Sequence, residues 1–264
     1  MKVDNMPVEE TEKEIVKDEL EDESVEAPKA LKQPRRGVYL LPNLFTTAAL
    51  FSGFYSIIAA MNGNYTHAAV AIFISMVFDG LDGRVARLTR TQSAFGAEYD
   101  SLADMVSFGV APALVSFTWA LDPLGKVGWI AAFIYVVGAA LRLARFNTMI
   151  GIEDKRYFTG LPSPAAAAIV AGVIWASNQA GLAGDQMASV MALLVPVAGL
   201  LMVSNVKYRS FKDLNLKGRV PFVVLLIAVM VLVLIALEPA LVLAAVFCAY
   251  GLWGLLGIVF KQLR

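Results

Sequence analysis

The sequence is poor in the residues that build disulfides and zinc sites. Its 264 residues contain one cysteine, Cys248, and one histidine, His67. A single cysteine excludes an intramolecular disulfide framework, and so small a set of histidine and cysteine leaves no ligands for a tetrahedral zinc site. Cys248 is predicted to be an inert buried thiol.

Charged residues are also scarce. They make up 17% of the chain, whereas hydrophobic residues make up 58%, and the net charge is zero. Soluble domains are typically about 25% charged and about 45–50% apolar, so the composition predicts an integral membrane protein. The basic residues come in small clusters rather than one broad field, which argues against a nucleic-acid partner.

The zero net charge conceals two unlike parts of the chain. Residues 1–36 hold eleven acids, seven bases and no aromatic residue, whereas the rest of the chain holds eleven acids and fifteen bases. Such an acidic and weakly apolar segment is typical of disorder. We therefore predict that residues 1–36 form a disordered cytoplasmic tail without a catalytic role, and that residues 37–264 form a transmembrane domain.

The apolar part contains eight segments close to the length of about 20 residues that a membrane-spanning helix needs. They are Tyr39–Met61, His67–Arg84, Tyr99–Leu121, Val127–Leu143, Ser163–Asn178, Met187–Ser204, Val220–Leu237 and Pro239–Phe260. Basic residues occur in alternate connections, and Lys126 is the only base in the others. Because lysine and arginine favour the cytoplasmic side, the sequence predicts an all-α membrane protein of about eight spanning helices with both termini in the cytoplasm.

Acidic residues are concentrated in one short stretch of this apolar body. Five of its eleven acids fall within 26 residues, and these are Asp79, Asp82, Glu98, Asp100 and Asp104. An acid at the centre of a membrane helix costs about 2.5–3.5 kcal/mol, so four aspartates on two apolar segments need a compensating charge. Asp79 and Asp82 share one helical face, and Gly96, Asp100 and Asp104 form a second stripe at i, i+4 and i+8.

Two facing stripes of carboxylates predict a metal site. Four negative charges around one small volume match two divalent cations, and hard oxygen ligands favour Mg²⁺ or Mn²⁺. Two such ions are a common arrangement for displacement at phosphorus. The alternative is that the acids are interface residues paired with Arg84, Arg87 and Arg90, which we place between the second and third helices. We predict that Glu98 is a solvated loop acid.

The same stretch resembles the signature of the CDP-alcohol phosphatidyltransferases. It reads Asp79-Gly80-Leu81-Asp82-Gly83-Arg84-Val85-Ala86-Arg87, followed by Gly96, Asp100 and Asp104, and every signature position is filled without insertion. The resemblance covers roughly residues 39–260 and implies a core of six transmembrane helices with two more added here. It also implies that Asp79, Asp82, Asp100 and Asp104 bind two metal ions and that Asp104 is the general base.

The resemblance further implies a binding site for the CDP group of the lipid substrate. Its residues would be Asn43, Thr46, Asp79, Gly83, Arg87 and Gly96, where Asn43 and Thr46 belong to a Pro-Asn-x-x-Thr element at the start of the first helix. Glycine lets the nucleotide approach the backbone closely, and an arginine guanidinium matches a diphosphate. The alternative for Asn43 and Thr46 is a capped helix start whose threonine bonds to the backbone.

Two further segments carry the expectation for the acceptor alcohol. Arg142-Leu143-Ala144-Arg145-Phe146-Asn147 and Gly160-Leu161-Pro162-Ser163-Pro164-Ala165-Ala166 are similar to segments of the membrane-bound phosphatidylserine synthases of bacteria and archaea. This implies L-serine as acceptor, CDP-diacylglycerol as donor, and an acceptor site at Arg142, Arg145, Asn147 and Ser163. Arg142 and Arg145, which lie one helical turn apart, could hold one anion. Alternatively, the arginines anchor lipid headgroups and Ser163 belongs to a structural turn.

Other functions stay open from the residues alone. Glycerol 3-phosphate or inositol phosphate could replace serine, because both carry a phosphate that Arg142 and Arg145 could bind. A divalent-cation transporter is a remote alternative, although transporter sites lie near the midplane between repeats. The resemblance also implies a homodimer, and we expect the cytoplasmic membrane of a prokaryote, with the active site facing the cytoplasm.

Overall fold

Helices make up nearly all of the described chain. The computed structural model describes residues 40–149, 157–209 and 222–262, so the predicted tail at 1–36 lies outside it. The helical stretches of these residues are α1 Leu40–Met61, α2 Tyr65–Thr89, α3 Ala94–Leu124, α4 Lys126–Thr148, α5 Ser163–Gln179, α6 Gly184–Val203, α7 Phe222–Leu237 and α8 Pro239–Gln262. Two short strands, β1 Tyr157–Thr159 and β2 Lys207–Arg209, pair antiparallel. The all-α class is confirmed, and the strand pair is an addition that the sequence analysis did not predict.

Four of these helices are long and apolar enough to cross a membrane by their length and composition. They are α1, α3, α4 and α6. Helices α7 and α8 contain shorter apolar stretches, Val223–Leu237 and Pro239–Gly254. The chain is therefore a membrane protein. The eight predicted segments fall on the eight helices, whereas the number that span the bilayer and the cytoplasmic position of the termini stay predictions.

The connection between α2 and α3 is shorter than predicted. Helix α2 continues to Thr89, so Arg84 and Arg87 are helical rather than part of a loop. Residues 84–89 contain good helix formers and neither glycine nor proline, and the helix ends where Arg90 adopts a left-handed conformation, with φ of 54°. Helix α3 begins at Ala94 rather than near Tyr99, because Ser93 caps its first turn.

The prediction of Glu98 as a loop acid is wrong in one respect. Because α3 begins at Ala94, Glu98 lies in the second turn of a helix. Its side chain is exposed, as expected for an unpaired acid outside the signature. The extra helical turn places Gly96, Asp100 and Asp104 on one continuous α-helical stretch, Ala94–Asp104.

Helix α3 changes its winding directly after Asp104. Residues Met105–Val110 form a π-helical turn in which the Ala111 N–H bonds to the Val106 carbonyl, five residues back. Regular α-helix then resumes over Ala111–Ser116. A proline at position 112 has no N–H to donate to the preceding turn, and single π turns inside α-helices are frequent at functional sites.

Small residues bring the helices into close contact. Helices α1 and α2 are joined by two hydrogen bonds of 2.8 Å, from Ser52 Oγ to the Ala71 carbonyl and from Ser75 Oγ to the Ala49 carbonyl. Between α4 and α6, a Cβ at Gly138 would collide with the backbone of Gly199. Helix α5 lies in the middle of the bundle, where every residue from Ala165 to Gly172 is buried. Close packing through small residues is typical of membrane helices.

Candidate active site

Four aspartates from two helices meet at one end of the bundle. Asp79 and Asp82 lie on α2, and Asp100 and Asp104 lie on α3. One carboxylate oxygen each from Asp79, Asp82 and Asp100 lies within 4.8 Å of the other two. The Asp104 carboxyl contacts that of Asp79, and the Asp100 carboxyl contacts that of Asp82. The two stripes therefore face each other, and we call these four residues the aspartate cluster.

Asp82 is the most enclosed member of the aspartate cluster by residue exposure. It is 5% exposed, and Thr46 Oγ1 of α1 lies 2.7 Å from its Oδ2. The Thr46 hydroxyl also lies 3.2 Å from the Pro42 carbonyl in the preceding turn of its own helix. The backbone contact considered for Thr46 is therefore present. The same hydroxyl also bridges α1 to an aspartate of α2.

The aspartate cluster is a fitting donor set for a divalent metal. Three carboxylate oxygens lie close enough together to share one ion, and all four groups are hard oxygen donors of the kind that Mg²⁺ and Mn²⁺ prefer. Adjacent carboxylates in an apolar bundle repel one another unless a cation or protons lie between them. The alternative partners Arg84, Arg87 and Arg90 all have exposed side chains, and Arg87 interacts electrostatically with Asp82.

A cavity of about 310 Å³ opens beside the aspartate cluster. Its lining residues are Pro42, Asn43, Thr46, Asp82, Gly83, Ala86, Arg87, Thr91, Gln92, Ser93, Gly96, Ala97 and Asp100. The cavity thus brings together five of the six residues predicted to bind the CDP group, from three separate elements. The sixth, Asp79, does not line the cavity, and its carboxyl contacts that of Asp104.

The two signature glycines leave room on the wall of this cavity. A Cβ at Gly96 would lie 3.2 Å from Ser93 Oγ and 3.5 Å from Asn43 Oδ1, so a side chain would crowd both polar groups. The Gly96 N–H donates to Ser93 Oγ at 3.0 Å. At Gly83 a Cβ would lie 3.5 Å from Nη1 of Arg87, the arginine predicted to bind the diphosphate.

The turn between α2 and α3 supplies cavity residues that the sequence analysis missed. Thr91, Gln92 and Ser93 all line the cavity, and Thr91 is 4% exposed with its hydroxyl 2.7 Å from that of Thr89. The available signal was Ser93, since a serine directly before an apolar helical pattern is a typical N-cap.

The residues predicted for the acceptor site have three different sets of partners. Arg142 Nη1 donates to Ser163 Oγ at 2.7 Å, and Ser163 is fully buried at the start of α5. Arg142 also interacts electrostatically with Asp104 and Asp79, so it belongs to the same site as the aspartate cluster. Asn147 instead pairs with Ser101 on α3, with Nδ2 3.0 Å from the serine oxygen.

Arg145 has partners different from those of Arg142. Its Nη2 donates to Asn205 Oδ1 at 2.9 Å, and its Nη1 lies 3.4 Å from the Val203 carbonyl at the end of α6. The two arginines therefore have different partners, and their binding of one anion stays a prediction. One turn of helix separates them in sequence, but Arg142 contacts α5 whereas Arg145 contacts the segment after α6.

Comparison with known proteins identifies this arrangement of residues. Residues 39–206 match the family model of the CDP-alcohol phosphatidyltransferases, and this range contains the aspartate cluster, the cavity and Arg142 with Ser163. The chain belongs to the CDP-alcohol phosphatidyltransferase family. Helices α7 and α8 lie outside the matched range.

Several CDP-alcohol phosphatidyltransferases are similar over most of the chain. A protein of Helicobacter pylori is 36% identical over 219 residues, which cover 83% of this chain and 92% of that protein. One from Mycobacterium leprae is 32% identical over 82% of this chain and 74% of that protein. One from Methanocaldococcus jannaschii is 42% identical over 54% of this chain and 63% of that protein. Each of the three is named CDP-diacylglycerol–serine O-phosphatidyltransferase.

Proposed function

We propose that this chain transfers the phosphatidyl group of CDP-diacylglycerol to the hydroxyl of L-serine, which gives phosphatidylserine and CMP. The observation that carries the proposal is the aspartate cluster beside a cavity lined by the other signature residues. The serine acceptor is supported by the names of the three relatives, two of which match more than four fifths of the chain.

The metal-binding role belongs to the aspartate cluster in this proposal. Asp79, Asp82, Asp100 and Asp104 would hold two divalent cations, Mg²⁺ or Mn²⁺, whose chemistry is to offset the charge of the diphosphate and of the departing CMP. The close approach of three of the carboxylate oxygens supports this assignment. The burial of Asp82 supports it as well, because an uncompensated acid is costly in such surroundings.

The cavity is proposed to hold the CDP group. Asn43 and Thr46 line it from α1, and Gly83 and Gly96 leave the backbone of α2 and α3 accessible to the nucleotide. Arg87 provides a guanidinium for the diphosphate, a planar donor set that suits phosphate oxygens. The diacylglycerol part of the substrate would remain in the lipid bilayer beside the helices.

Asp104 is the proposed general base. It accepts the proton of the serine hydroxyl while the serine oxygen forms a bond to the phosphorus that carries diacylglycerol. The bond from that phosphorus to the CMP oxygen breaks, and CMP leaves. Arg142, held by Ser163 at 2.7 Å, lies beside Asp104 and is proposed to bind the carboxylate of serine. Positioning and electrostatic stabilisation supply most of the rate enhancement in such transfers.

We also propose the surroundings in which the enzyme works. The chain is placed in the cytoplasmic membrane of a prokaryote as a homodimer, with its active site facing the cytoplasm. Several bases near the site, which include Arg87, Arg90 and Arg142, support this orientation, whereas Lys126 begins α4 at the end of that helix away from Arg142.

The proposed activity is tested with purified protein, CDP-diacylglycerol and separate acceptors. CMP release is measured with serine, glycerol 3-phosphate or inositol phosphate, each with Mg²⁺, with Mn²⁺ and with a chelator. We expect CMP release with serine that requires a divalent metal. Release with glycerol 3-phosphate but not serine would assign a different acceptor, and release that persists in the chelator would contradict the metal role of the aspartate cluster.

A further inference from the structure

The part of helix α3 directly after the proposed base is wound differently from the part before it. Asp104 ends the α-helical stretch, and Met105–Val110 form the π turn. Within this turn the Phe108 carbonyl cannot accept the regular α-helical hydrogen bond from four residues ahead, because Pro112 has no N–H. Phe108 is fully buried, so its carbonyl needs another donor.

Tyr135 of α4 supplies a donor for this carbonyl. Its hydroxyl donates to the Phe108 carbonyl oxygen at 3.0 Å, and its side chain is fully buried. The two helices also touch beside this hydrogen bond, since a Cβ at Gly109 would lie 3.1 Å from the Cβ of Ala139 on α4. The π turn is therefore held on α4 by a hydrogen bond and by a close contact between small residues.

The face of α4 that holds the π turn also carries Arg142. Tyr135, Ala139 and Arg142 occur at positions i, i+4 and i+7 of α4, a spacing that places them on one side of a helix. Arg142 donates to Ser163 Oγ at 2.7 Å and is the residue proposed to bind the acceptor carboxylate. A contact that fixes the π turn on this face therefore also fixes how the proposed base lies relative to the proposed acceptor site.

A second contact between α3 and α4 lies on the other side of the proposed base. Asn147 Nδ2 of α4 donates to Ser101 Oγ at 3.0 Å, three residues before Asp104. The hydrogen bond from Tyr135 reaches α3 four residues after Asp104. Asp104 thus lies between two points at which α3 is hydrogen-bonded to α4, and loss of either bond frees one end of this stretch to move.

We propose that Tyr135 is a positioning residue, whose hydroxyl holds the π turn on α4 and thereby keeps the Asp104 carboxylate within reach of the acceptor hydroxyl. Tyr135 acts through Asp104 rather than on the reacting atoms. A general base must lie within hydrogen-bond distance of the proton that it accepts. The proposal rests on the proposed function for the role of Asp104, and it predicts an effect on kcat rather than on the binding of CDP-diacylglycerol.

The test compares the Tyr135→Phe variant with the unmodified enzyme. The substitution keeps the buried ring and removes only the hydroxyl that contacts the Phe108 carbonyl. We expect kcat with serine to fall roughly 10- to 100-fold, since a misplacement of about 1 Å can cost about 100-fold in rate. KM for CDP-diacylglycerol should stay unchanged, because neither Tyr135 nor Phe108 lines the cavity proposed for CDP. An unchanged kcat in the folded variant would overturn the proposal.

The chain offers a matched control in a second π turn of α3, Phe117–Leu121. Tyr65 of α2 donates to the Thr118 carbonyl of that turn at 2.9 Å, so Tyr65→Phe removes the same kind of hydrogen bond well beyond Asp104 along the helix. We expect Tyr65→Phe to lower the midpoint of thermal denaturation, as Tyr135→Phe does, but to leave kcat unchanged. An equal fall of kcat in both variants would show a general loss of stability and would contradict the positioning role.

A double-mutant cycle with Asp104→Asn separates positioning from a purely structural role. If Tyr135 acts through Asp104, Tyr135→Phe will not reduce the residual CMP release of Asp104→Asn any further, because coupled residues have non-additive effects. A further fall in that background would overturn the proposal. If Tyr135→Phe does not fold, Pro112→Ala takes its place. This variant gives the Phe108 carbonyl a competing N–H donor from its own helix, so kcat should fall, and a normal kcat would then overturn the proposal.

Failure of the proposed function is recognised separately. If the unmodified enzyme does not release CMP with serine, the cycle is measured with the acceptor from the panel that the enzyme does use. Near-normal turnover of Asp104→Asn would refute Asp104 as the base, and it would refute the positioning role of Tyr135 with it.

Discussion

Asp82 connects the two halves of the candidate site at the scale of single residues. Its carboxylate belongs to the aspartate cluster and also lines the cavity proposed for CDP. A buried carboxylate is stable only when its oxygens have partners, and Thr46 provides one at 2.7 Å. The threonine therefore orients a proposed metal ligand, in the way that supporting hydrogen bonds orient metal ligands generally.

Replacement of this threonine is expected to weaken metal binding. Thr46→Val keeps the shape of the side chain but removes the hydroxyl that contacts Asp82. We expect the Mg²⁺ or Mn²⁺ concentration for half-maximal CMP release to rise on the order of 10-fold, as for loss of other groups that support metal ligands. The matched control is Thr47→Val, since Thr47 contacts Tyr99 and the Asn43 carbonyl rather than an aspartate. Equal shifts in both variants would refute the role of Thr46.

Replacement of the proposed base is expected to stop the reaction without preventing binding. Asp104→Asn preserves size and removes the proton acceptor, so kcat should fall roughly 10²- to 10⁴-fold. Binding of CDP-diacylglycerol, measured by isothermal calorimetry, should persist because Asp104 does not line the cavity. Glu98→Gln on the same helix is the control, because Glu98 is exposed and outside the cluster. Near-normal turnover of Asp104→Asn would reject Asp104 as the base.

At the scale of elements, α3 determines the geometry of the site. Ser93 starts the helix early enough to include Gly96, and its oxygen accepts the Gly96 N–H at 3.0 Å. The helix then changes to a π turn immediately after Asp104. The α-helical stretch that carries two aspartates is thereby separated from the apolar remainder of α3, where Ala111 and Val115 are fully buried.

Close contact between elements also sets the stability of the bundle. Gly138→Ala on α4 would force the backbone of Gly199 on α6 to move, because the added Cβ collides with it. We expect this substitution to destabilise the protein by about 1–3 kcal/mol, as other overpacked positions do. Gly80→Ala is the control, since nothing lies within 4 Å of a Cβ at that exposed position. When thermal denaturation is measured in detergent, we expect the midpoint temperature to fall for Gly138→Ala and to stay unchanged for Gly80→Ala.

For the molecule as a whole, the transferase and the acidic tail are expected to be separable. The family match begins at residue 39, and the aspartate cluster, the cavity and Arg142 all lie within it. Residues 1–36 carry a net charge of −4 and no signature residue. We expect a variant without residues 1–36 to keep the kcat and both KM values of the full chain in the CMP-release measurement. A large loss of activity in a variant that still folds would contradict the assignment of the tail as a spacer.

The sequence predicted the arrangement of the aspartates, but it did not predict the contacts of the acceptor residues. The spacing of Asp79, Asp82, Asp100 and Asp104 predicted two facing stripes, because helical periodicity alone determines which residues share a face. The same periodicity suggested that Arg142 and Arg145 act together. That joint action stays a prediction, because each arginine has a long side chain whose direction depends on partners from α5 and from the segment after α6.

Composition and local pattern by themselves determined that the chain is a helical membrane protein with a cluster of carboxylates suited to divalent metal. These properties follow from hydropathy and from residue spacing along single helices, which need no knowledge of packing. The tertiary structure decided which residues become neighbours: Thr46 beside Asp82, Ser163 beside Arg142, and Asn178 beside Thr66. Such contacts join residues up to about a hundred positions apart, and only the packing of whole helices brings them together.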